Sequence, residues 1–120
     1  MTTNSKPEQM RERTKKFAYR IVRLSRSLPR STEAQLAGRQ LFRSGTSVAA
    51  NYRAVCRARS KPEFVAKIGV VVEEADETVF WLELIADTGI LRKERMEALL
   101  AEARELTAIF TASQQTARRR

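Results

Sequence analysis

The sequence predicts an all-α protein, an antiparallel up-down-up-down four-helix bundle, on three observations. Ala, Leu, Glu and Arg dominate while Gly (4) and Pro (3) are scarce, a composition that favours helix. Apolar residues recur at three- and four-residue spacings over four long stretches, the period of an amphipathic helix. Short breaks at Pro29, at Ser60-Lys61-Pro62 and at Thr88-Gly89 separate these stretches, and short connections make neighbouring helices antiparallel. No strand candidate longer than a few residues interrupts the pattern. A chain of 120 residues, 42% apolar and 31% charged, is enough for one domain with a modest core and is not the composition of a disordered chain.

Residues 1–8 read as a disordered lead-in, 9–115 as the bundle and 116–120 as a basic C-terminal tail. The first helix is expected from about Glu8 to Leu28, where Pro29 stops it. Met10, Phe17, Ile21, Leu24 and Leu28 form its buried stripe, with Lys16, Arg20, Arg23 and Ser27 on the other side. Ser31 or Thr32 caps a second helix reaching about Arg59. Ala34, Leu41, Val48 and Val55 repeat every seven residues, joined by Ala37, Gly45 and Tyr52, as in a bundle seam. Gly38 and Gly45 each sacrifice roughly 1 kcal/mol of helix propensity against Ala. Close helix approach explains them better than a phosphate loop, because no strand precedes them. Asn51 flanks the seam as a register-setting hydrogen bonder.

The third helix is expected over Lys61–Asp87. Ser60 is its N-cap, Glu63 completes a capping box, and Pro62 falls in the first turn, where its missing N–H costs nothing. Phe64, Ile68, Val71, Ala75, Thr78, Leu82 and Ile85 face the core. Val70, Trp81 and Leu84 lie on another side, among Glu63, Glu74 and Glu77. A helix apolar on two sides is normally buried on both, so Val70, Glu74, Glu77, Trp81 and Leu84 are expected at a subunit interface, with the two acids facing a neighbour's arginines. Gly89 ends this helix as its C′ residue. A fourth helix runs from about Lys93 to Gln114 and buries Met96, Leu99, Leu100, Ala103, Leu106, Ile109 and Phe110.

Charge is unevenly placed. The net charge is +9, but residues 1–61 hold fifteen Lys/Arg against three acids, and residues 62–117 hold five against eleven. Such polarity suits a polyanion or head-to-tail association. The residues that read as nucleic-acid-binding are Lys16, Arg20 and Arg23 on the first helix and Arg39, Arg43, Arg53 and Arg57 on the second. Arginine's planar fork suits phosphate. Exposed aromatics are expected to be few, so backbone or shape is read rather than base sequence. In the rival reading these arginines serve only subunit pairing in a protein-interaction scaffold.

Catalysis is not expected. The chain has no His, the commonest general base. Cys56 is expected to be buried beside the second helix's seam as a small hydrophobe. The acids Glu73, Glu74, Asp76 and Glu77 lack the His partners of a bundle di-metal site, so no metal or cofactor is expected. One Cys cannot form an internal disulfide, no apolar run approaches a membrane span, and MTTNSKPEQM lacks a signal peptide's apolar region. A cytoplasmic protein is expected, with no membrane partner.

Three motifs then carry a resemblance. They are RS-x-x-S-x-x-AN at Arg43, Ser44, Ser47, Ala50 and Asn51, SK-x-EF at Ser60, Lys61, Glu63 and Phe64, and E-x-x-ET-x-x-WLE from Glu74 to Glu83. With Leu28-Pro29-Arg30 and the Gly89 turn, they make the chain resemble, over roughly residues 14–112, the bacterial four-helix bundles named after intervening sequences of 23S rRNA genes. It departs in having Arg53 and Ala54 where members often carry a Glu shortly after the Asn. The resemblance implies an antiparallel bundle assembling as a ring, commonly a homopentamer. The chain is also similar to the basic accessory protein of diversity-generating retroelements, which binds nucleic acid and a reverse transcriptase. The partners so implied are RNA more than DNA, further copies of the chain, and a reverse transcriptase or ribosomal component.

Overall fold

Serines start three of the four helices. The computed structural model describes residues 5–120, and among them lie α1 (Lys6–Arg26), α2 (Thr32–Val55), α3 (Lys61–Asp87) and α4 (Lys93–Arg119). The side chains of Ser5, Ser31 and Ser60 accept hydrogen bonds from the backbone N–H groups of Glu8, Ala34 and Glu63 at 3.3, 3.3 and 3.1 Å. Each satisfies one of the amide donors that a helix start leaves without a partner. The capping box at Ser60 is half formed, because the Glu63 carboxylate turns to Lys67 Nζ at 2.9 Å. That pairing holds the Glu63 carboxyl below its usual pKa.

The helix boundaries correct the sequence reading in four places. α1 starts at Lys6, so Ser5–Glu8 form a cap and first turn rather than a lead-in; residues 1–4 lie outside the described residues. It closes at Arg26, with Ser27 as its cap, two residues short of Leu28. α2 stops at Val55 rather than Arg59, because the chain needs residues 56–60 to reverse direction into α3. Cys56 therefore caps α2 and is exposed, contrary to the buried position expected of it. α4 runs through the expected tail to Arg119, and its last turns still dock on α3, where Gln114 Nε2 donates to the Val65 carbonyl at 3.3 Å.

The apolar stripes meet in one core. Phe17, Ile21, Leu41, Val48, Ile68, Val71, Leu82, Ile85, Met96, Leu106 and Phe110 are essentially closed to solvent, and the Tyr52 and Phe110 rings lie 5.4 Å apart across it. Burial, with the Cys56 thiol alongside, pushes the Tyr52 phenol up to about 12. α2 packs extensively on α1 and α3, α3 on α4, and α1 much less on α4. The bundle is flattened, 46 × 34 × 19 Å. A Cβ on Gly45 would stand 2.7 Å from Ile21 Cγ1 and 3.1 Å from its Cβ, so Gly45 lets α1 and α2 approach, as its position predicts. Asn51 does not set register across the seam: its Nδ2 donates to the Ser47 carbonyl of its own helix. At the end of α3, Gly89 adopts φ +76°. The bonds Gly89 N–H to Ala86 O (3.2 Å) and Ile90 N–H to Ile85 O (3.1 Å) complete a Schellman motif.

Candidate nucleic-acid interface

The core stripe of α1 leaves two flanks, and both carry cations. On the flank facing α4 stand Lys16, Arg20 and Arg23. Arg20 and Arg23 share a groove of about 250 Å³ with Arg95 of α4, over Leu24, Ala98 and Leu99. No carboxylate lines this groove. Three guanidinium groups around an apolar floor form a fork-lined depression suited to phosphate oxygens. Arg95 escapes sequence reading because it lies more than seventy residues from Arg20, on a different helix.

One turn below, the α1–α4 seam is closed by charge. Arg13 Nε and Nη2 donate to both oxygens of Glu102, at 2.8 and 2.7 Å, and Arg13 Nη2 lies 3.2 Å from Glu105. This bidentate bond raises the Arg13 pKa and holds the Glu102 carboxyl below its usual range, with Arg20 adding to the latter effect.

The flank facing α2 differs. Arg53 lines a groove of about 680 Å³ with Arg11, Lys15 and Tyr19 of α1. Arg39 lies beside a separate groove with Gln35 and the exposed Phe42. Arg57 is exposed in the turn beyond α2. The α2 stripe therefore serves more than one surface. Lys16, Arg20, Arg23, Arg39, Arg53 and Arg57 make no ion pair among the described residues.

Arg43 is the exception. Its Nη1 lies 3.1 Å from Glu74 Oε2, and its Nη2 bonds Glu77 Oε2. These bonds, Glu77 first, raise the Arg43 pKa. This corrects two expectations together: Arg43 is engaged within the chain, and Glu74 and Glu77 face their own subunit's α2 rather than a neighbour's arginines. Glu77 also accepts from Trp81 Nε1 at 3.2 Å, which fixes the half-buried indole.

Around this pair lies the apolar surface expected at a subunit interface. Val70 is exposed, while Trp81 and Leu84 are half-buried against the core. Two larger exposed residues join α2 and α3 that sequence reading left out: Leu36 at 57% and Phe80 at 53% exposure. Phe80 stacks edge-on against Trp81, centroids 4.9 Å apart. The antiparallel register set by Arg43 and Glu74/Glu77 brings Leu36 to the level of Trp81. The signal for both was an apolar residue off its helix's core stripe.

Among the described residues no helix is long and apolar enough to cross a membrane, and no group of three or more His, Cys, Asp or Glu could hold a metal ion. The profile of the family described as 23S rRNA-intervening sequence protein matches residues 7–112. A crystal structure of a protein of unknown function from the S23 ribosomal protein family of Bacteroides thetaiotaomicron VPI-5482 is 30% identical, with a TM-score of 0.83 over 92% of this chain and 99% of the other. No curated protein matches the sequence.

Proposed function

The chain belongs to the 23S rRNA-intervening sequence protein family, and from that premise we propose that it is a non-enzymatic, self-associating cytoplasmic bundle that binds structured RNA in preference to DNA. The observation that carries this reading is the set of outward cations on α1 and α2 without ion pairs, extended by Arg95 across the α1–α4 groove. Like charges gathered in one groove, as Arg20, Arg23 and Arg95 are, repel one another, and a polyanion relieves that repulsion while releasing its counterions. Arg43 is not part of this surface.

Self-association is supported by Leu36, Val70, Phe80 and Trp81, an apolar group of the kind that marks protein contacts; a homopentamer is the assembly the family resemblance implies. The same group favours a second reading, a scaffold or accessory subunit whose partner is a reverse transcriptase or ribosomal component.

A salt titration of binding to a structured RNA and a matched DNA duplex, with mass followed by light scattering, tests the proposal. If about six phosphates are neutralised, log affinity falls against log salt with a slope of roughly −4 to −5, at constant mass. Absence of binding at low salt, with the oligomer intact, transfers the assignment to the scaffold.

A further inference from the structure

The α1–α2 groove beside Tyr19 is not accounted for by a backbone clamp. At about 680 Å³ it falls within the range of small-ligand sites, roughly 300–1,000 Å³. Tyr19 is 52% exposed, with Lys15 Nζ 6.0 Å from its ring centroid. Ala18, Ala49 and Ala50 keep the groove open by having no side chain beyond Cβ. Arg11, Lys15 and Arg53 supply cations, and Glu8 and Glu12 supply carboxylate acceptors. The Arg20–Arg23–Arg95 groove, by contrast, has cations over an apolar floor and no carboxylate. A phosphate gains nothing from carboxylates, but the amino and imino groups of a base edge need acceptors. A ring face, cations and acceptors in one groove match a whole nucleotide.

We infer that this groove binds a single unpaired nucleotide of a structured RNA, its base stacked on Tyr19 and its phosphate held by the surrounding cations. The inference rests on the nucleic-acid reading above and deepens it: the outer cations hold the backbone, and the groove selects bulges and loops over uninterrupted duplex. In a duplex the ring faces are already stacked on their neighbours and are closed to Tyr19.

The test uses the full chain and two RNA hairpins, one fully paired and one with a single bulged 2-aminopurine. Wild-type protein binds the bulged hairpin about tenfold more tightly, within the range of one stacked base, and quenches the 2-aminopurine. Tyr19→Ala abolishes the preference and the quenching but leaves affinity for the paired hairpin unchanged; Tyr19→Phe retains both. Helical circular dichroism checks folding, and Tyr19→Leu, which removes the ring but keeps apolar bulk, carries the same expectation should Tyr19→Ala unfold. Equal wild-type affinity for the two hairpins, or a preference that survives loss of the ring, overturns the inference and leaves the nucleic-acid reading standing. Absence of binding to either hairpin at low salt overturns both.

Discussion

The α2–α3 seam and the outer surface of α1 use the same side chain in opposite ways. In the seam, Arg43 is held by Glu74 and Glu77, and Glu77 in turn orients Trp81. On α1, Arg20 and Arg23 face Arg95 across a groove with no carboxylate in its lining. One arginine is structural because the neighbouring helix brings acids to its level. The others remain available because the neighbouring helix brings another arginine. An arginine's role here is set by what lies opposite, and exposure alone does not report it: Arg43 is half exposed and still fully engaged.

The largest expected effect breaks the comparison on the α1 side. Arg20→Glu with Arg23→Glu weakens RNA binding by about tenfold or more at 0.1 M salt and flattens the salt slope by roughly 2. Filter binding across a salt series measures both, while the thermal midpoint stays near that of the wild type. If affinity is untouched, the unpaired cations of α1 are only a solvated surface.

A contact without charge provides the contrast for stability. Gly45→Ala forces a methyl into Ile21. Overpacking costs about 1–3 kcal/mol and the gain in helix propensity returns roughly 1, so a net loss of about 1 kcal/mol is expected in urea unfolding, independent of salt.

Acid separates the paired carboxylates from the unpaired cations. Glu102 has its pKa lowered in the folded state, chiefly by the Arg13 hydrogen bond. Its contribution is therefore present above the unfolded carboxylate pKa, roughly 4.3, and is lost as pH falls through the lower folded value. Thermal unfolding from pH 7 to pH 3 is expected to show this loss starting near pH 5, and Arg13→Ala to diminish it.

The smallest effect is on the α2–α3 side. Arg43→Ala leaves Glu74 and Glu77 as unpaired neighbours and frees Trp81 to change its environment. A modest fall in thermal midpoint and a shift in tryptophan emission are expected, with RNA affinity near that of the wild type. A large loss of affinity would place Arg43 with the α1 cations and end the distinction.

Much of the fold was legible in the chain because its signals are local. Ser60 and Pro62 mark a helix start, Gly89 a stop, and the spacing of Phe17, Ile21 and Leu24 or of Ile68, Val71 and Ala75 marks a core face. Those readings need only helix geometry. Two of the errors fell where a helix end depends on a neighbour: α4 continues past Gln114 because that side chain still finds the Val65 carbonyl on α3, and α2 stops early because the chain must turn back. At α1 the local caps Ser5 and Ser27 mark ends that the apolar spacing misplaced.

The interface was legible only in part, as a set of cations. By itself the sequence determined four amphipathic helices, their breaks, the close-approach glycine at Gly45 and a basic first half facing an acidic remainder. Tertiary structure alone decided that Arg43 is engaged and Arg53 is not, although both lie on the outer stripe of α2. It also decided that Arg95 joins Arg20 and Arg23, and that Tyr19 opens onto a groove. The physical reason is register: a charge's partner is the residue that packing carries to its level on another helix, and spacing along one helix holds no record of it.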